Sequence, residues 1–215
     1  MKISIICSDP SHPVNPYLSN WVQSQSQNHQ INVVRKKTNL TDGDILFLVS
    51  CNEIISATER ASYDACLVLH ASDLPLGRGW SPHIWELAAG ATHITLSLLE
   101  AESKVDSGKI WRKVKVPVPP TALWSEINHL LFTAEIELMD FALAAFRRNQ
   151  PAEQPLDVEP TYYRKRTRED SRIDPHHSIA DQFDLIRVCD PYRFPAFFEY
   201  RGKRFSLKLE KLDDE

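Results

Sequence analysis

The sequence lacks a long apolar run, an excess of basic residues and paired cysteines, and each absence argues against one class of protein. Without a run of about 18 apolar residues, a membrane-spanning helix is not expected. Lys and Arg number 25 against 29 Asp and Glu, and the net charge of −4 argues against a general nucleic-acid-binding protein. The four scattered cysteines form no Cys-x-x-Cys pair, which argues against a zinc site. We interpret them as free thiols of a cytoplasmic protein and expect no metal.

The length and composition predict one domain with a small appendage. A chain of 215 residues that is 42% hydrophobic can bury a sizeable core. Residues 1–13 contain one Lys and a short apolar run, which is too short for a signal peptide and predicts a first strand.

The first part of the chain alternates strand and helix signals. Asn15-Pro16 and Ser81-Pro82 each place a capping residue before a first-turn proline and predict helix starts, and Gly90 ends the second helix. Apolar runs typical of strands buried on both faces of a parallel sheet occur at KISIIC (2–7), ILFLVS (45–50) and CLVLH (66–70).

Two alternating segments and a long amphipathic segment follow. Residues 93–101 predict a strand with one wetter face, and residues 109–118 predict another strand. Thr121 is expected to cap a helix over about 122–148, whose apolar side could pack on its own sheet or form a homodimer face. This βαβ-like order predicts an α/β fold with helices on both faces of the sheet.

The rest of the chain has a different composition. Residues 151–163 are rich in proline and are interpreted as a linker that crosses the surface. The segment 164–215 is expected to form a helix that begins near Ser178 and a hairpin around Arg201-Gly202. It is too small to be an independent domain and should pack on the first part.

A histidine and an aspartate are the candidate reactive groups. His70 stands where a predicted buried strand ends, and Asp106 lies in the loop after the next clear strand. Ligands of open α/β sheets bind beyond the carboxyl ends of the strands, so both residues could face one crevice. An imidazole and a carboxylate that converge there can transfer a proton. From the pattern alone, a histidine at a strand end is more often a structural residue whose ring nitrogens are hydrogen-bonded.

The segments around these residues resemble the signature of the folate-dependent formyltransferases. Most of residues 45–209 take part in the likeness, and residues 162–174 and 185–209 resemble the segment that follows the catalytic domain in tRNA and amino-sugar formyltransferases. The residues that match the signature, in order, are His70, Leu74-Pro75, Arg78-Gly79, Pro82, Thr95 and Val105-Asp106-Ser107-Gly108.

The resemblance implies a Rossmann-like catalytic domain over residues 1–150 and a direct transfer from N10-formyltetrahydrofolate to a primary amine. His70 would stabilise the negative charge on the formyl oxygen and carry a proton, and Asp106 would accept the ammonium proton. Candidate folate-binding residues are Ile54, Ile55, Lys104 and Val105. For these four, ordinary packing or a solvated lysine is an equally plausible interpretation.

One position departs from the family pattern. The family carries an asparagine two residues before the histidine, where this chain has Val68. Losing such a donor typically costs about 3–4 kcal/mol of transition-state stabilisation. Asn52, Ser72 or a protonated His70 could replace it. The departure also keeps open a non-catalytic module that binds folate or a nucleotide sugar.

The resemblance is compatible with three acceptors of the formyl group: methionyl-tRNA, glycinamide ribonucleotide or a nucleotide-linked amino sugar. The tRNA enzymes carry a larger basic C-terminal domain, and the glycinamide enzymes usually lack the C-terminal segment found here. The segment HASDLPLGRGWSPHIW resembles the corresponding segment of enzymes that act on 4-amino-4,6-dideoxy sugars. We specifically expect the substrate to be an altrosamine-type intermediate near pseudaminic acid. Candidate substrate-binding residues are Ser72, Trp80, His83 and Arg164.

Overall fold

The computed structural model describes residues 1–212, which form a six-stranded sheet, two small two-stranded sheets and five α-helices. The strands are β1 (Lys2–Ile6), β2 (Gln30–Val34), β3 (Gly43–Leu48), β4 (Tyr63–His70), β5 (Arg78–Gly79), β6 (His93–Glu100), β7 (Ile110–Pro117), β8 (Tyr162–Tyr163), β9 (Ala196–Tyr200) and β10 (Lys203–Leu207). The helices are α1 (Asn15–Gln25), α2 (Ala57–Arg60), α3 (Pro82–Ala88), α4 (Trp124–Ala145) and α5 (Phe183–Arg187), with short 3₁₀ turns at Lys37–Asn39 and Arg168–Ser171.

The large sheet has the strand order β2-β1-β3-β4-β6-β7. Its first four strands are parallel, whereas β6 is antiparallel to both β4 and β7. The expected wetter face of β6 is wrong: Thr95 and Ser97 are 5% and 0% exposed. The segment that follows β4 covers this face at Ser97, whose hydroxyl donates to the Ser72 carbonyl at 2.7 Å.

The main core lies on one face of the sheet. There α1 and α4 pack against the alternate strand residues, among them Ile5, Phe47 and Leu69. The other face carries a smaller cluster around Leu46, covered by the single turn of α2 and the loop before it. The α4 helix therefore packs on its own sheet.

Two helices begin differently from the sequence prediction. Helix α4 begins at Trp124, and its preceding residue Leu123 donates its N–H to the Glu126 carboxylate, which replaces the expected cap by Thr121. The helix expected from Ser178 is only the single turn α5. The Ser178 hydroxyl instead closes a turn with Asp181.

The C-terminal hairpin forms as the sequence predicts. Strands β9 and β10 are antiparallel, and both turn residues, Arg201 and Gly202, have positive φ angles of 49° and 73°. Two such residues in a two-residue loop match the right-handed twist of the strands. A small cluster of Ile173, Ile186, Cys189 and Ala196 lies beneath this part.

The segment 151–163 does more than cross the surface. Ala152 exchanges two backbone hydrogen bonds with Ile110 of β7, and Tyr162–Tyr163 pairs in parallel with Arg78–Gly79. The division of the chain at 150 and 163 stays a prediction, and residues 213–215 of the last predicted segment lie outside the described residues. No helix among residues 1–212 has the length and apolar character to cross a membrane. All four cysteines are free.

Candidate active site

His70 is the last residue of the buried strand β4 and is 7% exposed. Its Nε2 lies 2.9 Å from the carbonyl oxygen of Gly77. Since a carbonyl only accepts, Nε2 carries a proton and Nδ1 is the nitrogen left for other partners.

The carboxylate of Asp106 faces that second nitrogen. Its Oδ2 lies 3.6 Å from His70 Nδ1 and accepts the Gly79 N–H at 2.9 Å. The side chains of His70 and Asp106 are 8% and 7% exposed. Both ring nitrogens of His70 therefore face oxygen atoms, the Gly77 carbonyl on one side and the Asp106 carboxylate on the other. The arrangement brings an imidazole and a carboxylate together in a nearly enclosed site.

The two residues meet for a reason that differs from the one expected. Strand β6 runs antiparallel to β4, so its carboxyl end does not lie at the same edge of the sheet. Glu100 pairs with Leu67 instead, in the middle of β4, and the loop 101–109 leaves the sheet there and brings Asp106 to His70.

Two glycines allow this close approach of loops. A Cβ on Gly108 would lie 1.9 Å from the Glu100 carbonyl oxygen, and one on Gly79 would lie 2.5 Å from the Tyr163 carbonyl oxygen. Gly79 also has a φ of +96°, which other residues rarely adopt. A side chain at either position would separate the loops that hold the pair.

The composition of residues 151–163 gave no sign that this segment supports the site. Gln154 is 8% exposed and bonds to Asp106, Gly108 and Arg78. Thr161 accepts the Gly77 N–H at 2.8 Å. A glutamine or threonine in a proline-rich loop is usually solvated, and only the fold shows which polar loop residues are buried.

The candidate folate-binding residues lie in two loops joined by Arg60. Its guanidinium contacts Ser103 at 3.2 Å, in the loop that carries Lys104 and Val105, and donates to the Ile55 carbonyl at 2.7 Å. The side chains of Ile54 and Val105 are 66% and 47% exposed, whereas Ile55 is 4% exposed and packs in the smaller core cluster. The Lys104 carbonyl accepts the Ser107 hydroxyl proton.

Val68 and Asn52 lie near these loops. Val68 is half-buried and packs at the edge of the smaller cluster, on the same strand face as His70. Asn52 follows β3 and is exposed, and its backbone N–H donates to the Ser8 hydroxyl at 3.1 Å.

The candidate substrate-binding residues differ in their exposure and in their contacts. Ser72 has no exposed surface, and its Oγ has no hydrogen-bond partner among the described residues. Trp80 is 42% exposed, with the Lys165 ammonium 4.7 Å from its ring centre. Arg164 is ion-paired with Asp170 and lies over the ring of Trp85.

Among the candidate substrate-binding residues, His83 is the one whose pKa His70 affects. Burial, with the nearby imidazole of His70 as the next cause, lowers the pKa of His83 to about 3. It is therefore neutral at physiological pH, and its buried Nδ1 has no partner among the described residues.

The pair is nearly enclosed, since each of the two side chains is less than a tenth exposed. Two surface clefts of about 350 and 390 Å³ lie where α4 begins and between α1 and α4, and neither is lined by His70 or Asp106. The loops next to the pair nevertheless expose large apolar side chains, namely Leu76, Trp80, Val105 and Tyr162. The guanidinium of Arg78, hydrogen-bonded to the Tyr162 hydroxyl at 3.2 Å, lowers the pKa of that phenol.

No protein-family model matches the chain. Several solved structures share its architecture. Methionyl-tRNA formyltransferase from Clostridium thermocellum is 22% identical with a TM-score of 0.82, over 99% of this chain and 94% of that one. A sugar N-formyltransferase from a Shewanella species is 15% identical with a TM-score of 0.74, over 100% and 99% of the two chains. HypX from Aquifex aeolicus, in complex with tetrahydrofolic acid, is 18% identical with a TM-score of 0.75, over 95% of this chain and 36% of that one.

These likenesses define the class of fold: a Rossmann-like α/β sheet flanked by helices. More particularly, it is the fold of the formyltransferases, and the fold that the sequence motifs predict is confirmed.

Proposed function

We propose that this protein is an N-formyltransferase that moves a formyl group from N10-formyltetrahydrofolate to the primary amine of a nucleotide-linked amino sugar. The observation that carries the proposal is the enclosed His70–Asp106 pair, with Nδ1 and Oδ2 3.6 Å apart, in a formyltransferase fold. The motif resemblance implies that these two residues are the reactive groups.

The loops next to the pair fit a folate. Ile54 and Val105 expose apolar side chains on two loops that Arg60 holds together, and a flat heteroaromatic ring can pack on such a surface. When bound, the folate supplies the formyl group.

His70 and Asp106 would act by proximity and electrostatics. The separation of 3.6 Å is too long for a direct hydrogen bond, so a proton on His70 Nδ1 is available to an oxygen that approaches the pair. The amine nitrogen bonds to the formyl carbon, and His70 stabilises the negative charge that develops on the formyl oxygen. Asp106 Oδ2 takes the proton that the amine loses, and that proton is returned to N10 when the bond between the formyl carbon and N10 breaks and tetrahydrofolate leaves. No covalent bond to the protein is needed.

An amino sugar is favoured as the acceptor over a tRNA. The chain has a net charge of −4, whereas tRNA binding requires a basic surface. In the basic run 164–166, Arg164 is already paired with Asp170. The motif around Trp80 and His83 resembles enzymes of 4-amino-4,6-dideoxy sugars, so we propose an altrosamine-type substrate near pseudaminic acid in surface-glycan synthesis. Free cysteines favour a cytoplasmic reaction.

The test is a panel of acceptors incubated with N10-formyltetrahydrofolate, with release of tetrahydrofolate followed over time. The panel contains UDP-, GDP- and dTDP-linked 4-amino-4,6-dideoxy sugars, charged methionyl-tRNA and glycinamide ribonucleotide, each with a no-enzyme control. We expect turnover with a nucleotide sugar and none with the tRNA.

Faster transfer to methionyl-tRNA would overturn the choice of acceptor. Absence of transfer to every amine, together with measurable folate binding, would instead identify a non-catalytic binding module. Val68 in place of the family asparagine makes that outcome worth testing directly.

A further inference from the structure

Gln154 lies between the loop that carries Asp106 and the segment at Arg78–Gly79 that follows His70 in the chain. Its Nε2 donates to the carbonyl oxygens of Asp106 and Gly108, both at 2.9 Å, and its Oε1 accepts from Arg78 Nη2 at 2.7 Å. One buried amide thus joins the backbone at 106–108 to the loop that contains Gly79, the residue whose N–H binds the Asp106 carboxylate.

Thr161, in the same segment, holds the other half of the pair. Its hydroxyl accepts the Gly77 N–H at 2.8 Å, and its carbonyl accepts the Arg78 N–H at 2.9 Å. Gly77 supplies the carbonyl that receives the proton of His70 Nε2. The segment therefore contacts the residues that orient both the imidazole and the carboxylate.

The backbone at Asp106 needs such support. Its φ is +53°, in the left-handed region that residues with a side chain seldom adopt. A conformation of this kind persists only where the surroundings fix it. The hydrogen bond from Gln154 to the Asp106 carbonyl fixes that peptide directly.

We propose that Gln154 is a positioning residue for formyl transfer, which sets the distance between the Asp106 carboxylate and the His70 imidazole. The inference rests on the proposed function of this pair. Gln154 does not touch the reacting atoms: it acts through Asp106 by holding the loop 101–109 against Arg78–Gly79.

The first test compares Gln154→Leu with Glu153→Leu. The Gln154 variant removes all three hydrogen bonds, whereas the neighbouring Glu153 is 73% exposed and ion-paired only with Lys109 among the described residues. We expect Gln154→Leu to lower kcat about 10- to 100-fold, because a displacement of about 1 Å at the reacting groups can cost about 10²-fold in rate. KM should change by less than about threefold, because the substrates do not contact Gln154. Glu153→Leu should keep normal kinetics, and a loss below about threefold in the Gln154 variant would overturn the proposal.

A double-mutant comparison separates positioning from a general structural effect. In an Asp106→Asn background, Gln154→Leu should lower the remaining activity by less than about twofold, because a residue that acts through Asp106 has little left to position. The same fold-loss in both backgrounds would show an independent effect and overturn the proposal.

If Gln154→Leu does not fold, Gln154→Glu takes its place. The carboxylate keeps the acceptor for Arg78 and the size of the side chain but cannot donate to the Asp106 and Gly108 carbonyls. The same loss in kcat is expected, and unchanged kcat in the folded variant would contradict the assignment.

One measurement does not depend on activity. The ring ¹⁵N signals of His70, assigned with the His70→Ala variant, should shift in Gln154→Leu and stay in place in Glu153→Leu. Should the unaltered protein transfer no formyl group at all, the proposed function fails, while these signals still decide whether Gln154 positions the pair. Unchanged His70 signals in Gln154→Leu would overturn the inference.

Discussion

At the scale of single residues, His70 and Asp106 carry the proposed chemistry. We expect His70→Ala and Asp106→Ala each to lower turnover by about 10²–10⁴, the usual contribution of a positioned proton-transfer group. Asp106→Asn should behave like the alanine variant, although it keeps an oxygen for the Gly79 N–H. Steady-state kinetics with the accepted amine measure the loss, and circular dichroism checks folding. His176→Ala, in an exposed loop, is the control. Near-normal turnover in a folded His70 or Asp106 variant would remove the assignment.

Val68 stands where the formyltransferase signature has an asparagine. We expect Val68→Asn not to raise turnover, because this half-buried position packs at the edge of an apolar cluster. An unsatisfied amide there should lower the free energy of unfolding by about 1–3 kcal/mol. Kinetics and urea unfolding measure both effects, with Val68→Ala to account for lost packing.

Asn52→Ala belongs in the same experiment, because Asn52 is the second candidate for the missing donor after a protonated His70. A large gain in turnover from Val68→Asn, with no loss from Asn52→Ala, would show an enzyme weakened by the substitution. That result would favour the binding-module alternative.

At the scale of an element, helix α4 contains a carboxyl group in the core. Burial raises the pKa of Glu135 from 4.5 to about 8, and its Oε2 has no partner among the described residues. Because the folded pKa is above the unfolded one, this group favours folding below about pH 4.5, and that contribution is lost as the pH rises towards 8.

Glu135→Gln removes this titration from the helix. The free energy of unfolding of the variant, relative to the unaltered protein, should therefore increase between about pH 5 and about pH 8. Urea unfolding at both pH values measures the difference. Glu137→Gln, at an exposed position two residues along the helix, controls for the loss of one carboxylate. A relative stability that is the same at both pH values would contradict the burial argument.

At the scale of the whole molecule, α5 and the residues after it touch two different clusters. Val188 is 2% exposed and belongs to the main core, whereas Ile186 is 4% exposed and belongs to the small C-terminal cluster. A cluster of four buried residues is too small to be stable alone. We therefore expect the two parts of the chain to unfold together.

Ile186→Ala should lower the midpoint of one shared thermal transition, at a cost of about 2–5 kcal/mol, and Val188→Ala should lower the same transition by less. Differential scanning calorimetry measures both. A separate early transition in Ile186→Ala alone would show that residues 164–212 unfold as an independent unit.

Local chemistry made several elements predictable from the sequence. The buried apolar runs at 2–7, 45–50 and 66–70 match β1, β3 and β4 because strands covered on both faces must be continuously apolar. The Ser81-Pro82 helix start and the hairpin at Arg201-Gly202 depend on backbone preferences of neighbouring residues. His70 and Asp106 are predicted as the candidate pair because each lies at or after the end of a predicted strand, and the motif resemblance supports that prediction.

By itself, the sequence determined the α/β class, the apolar strands and the position of His70 at a strand end. Only the tertiary structure decided that β6 runs antiparallel, since either direction buries the same side chains. It also decided that Gln154 is buried. The carbonyls that satisfy its amide lie 48 and 46 residues earlier in the chain, and no local pattern shows that a polar loop residue will meet partners so distant.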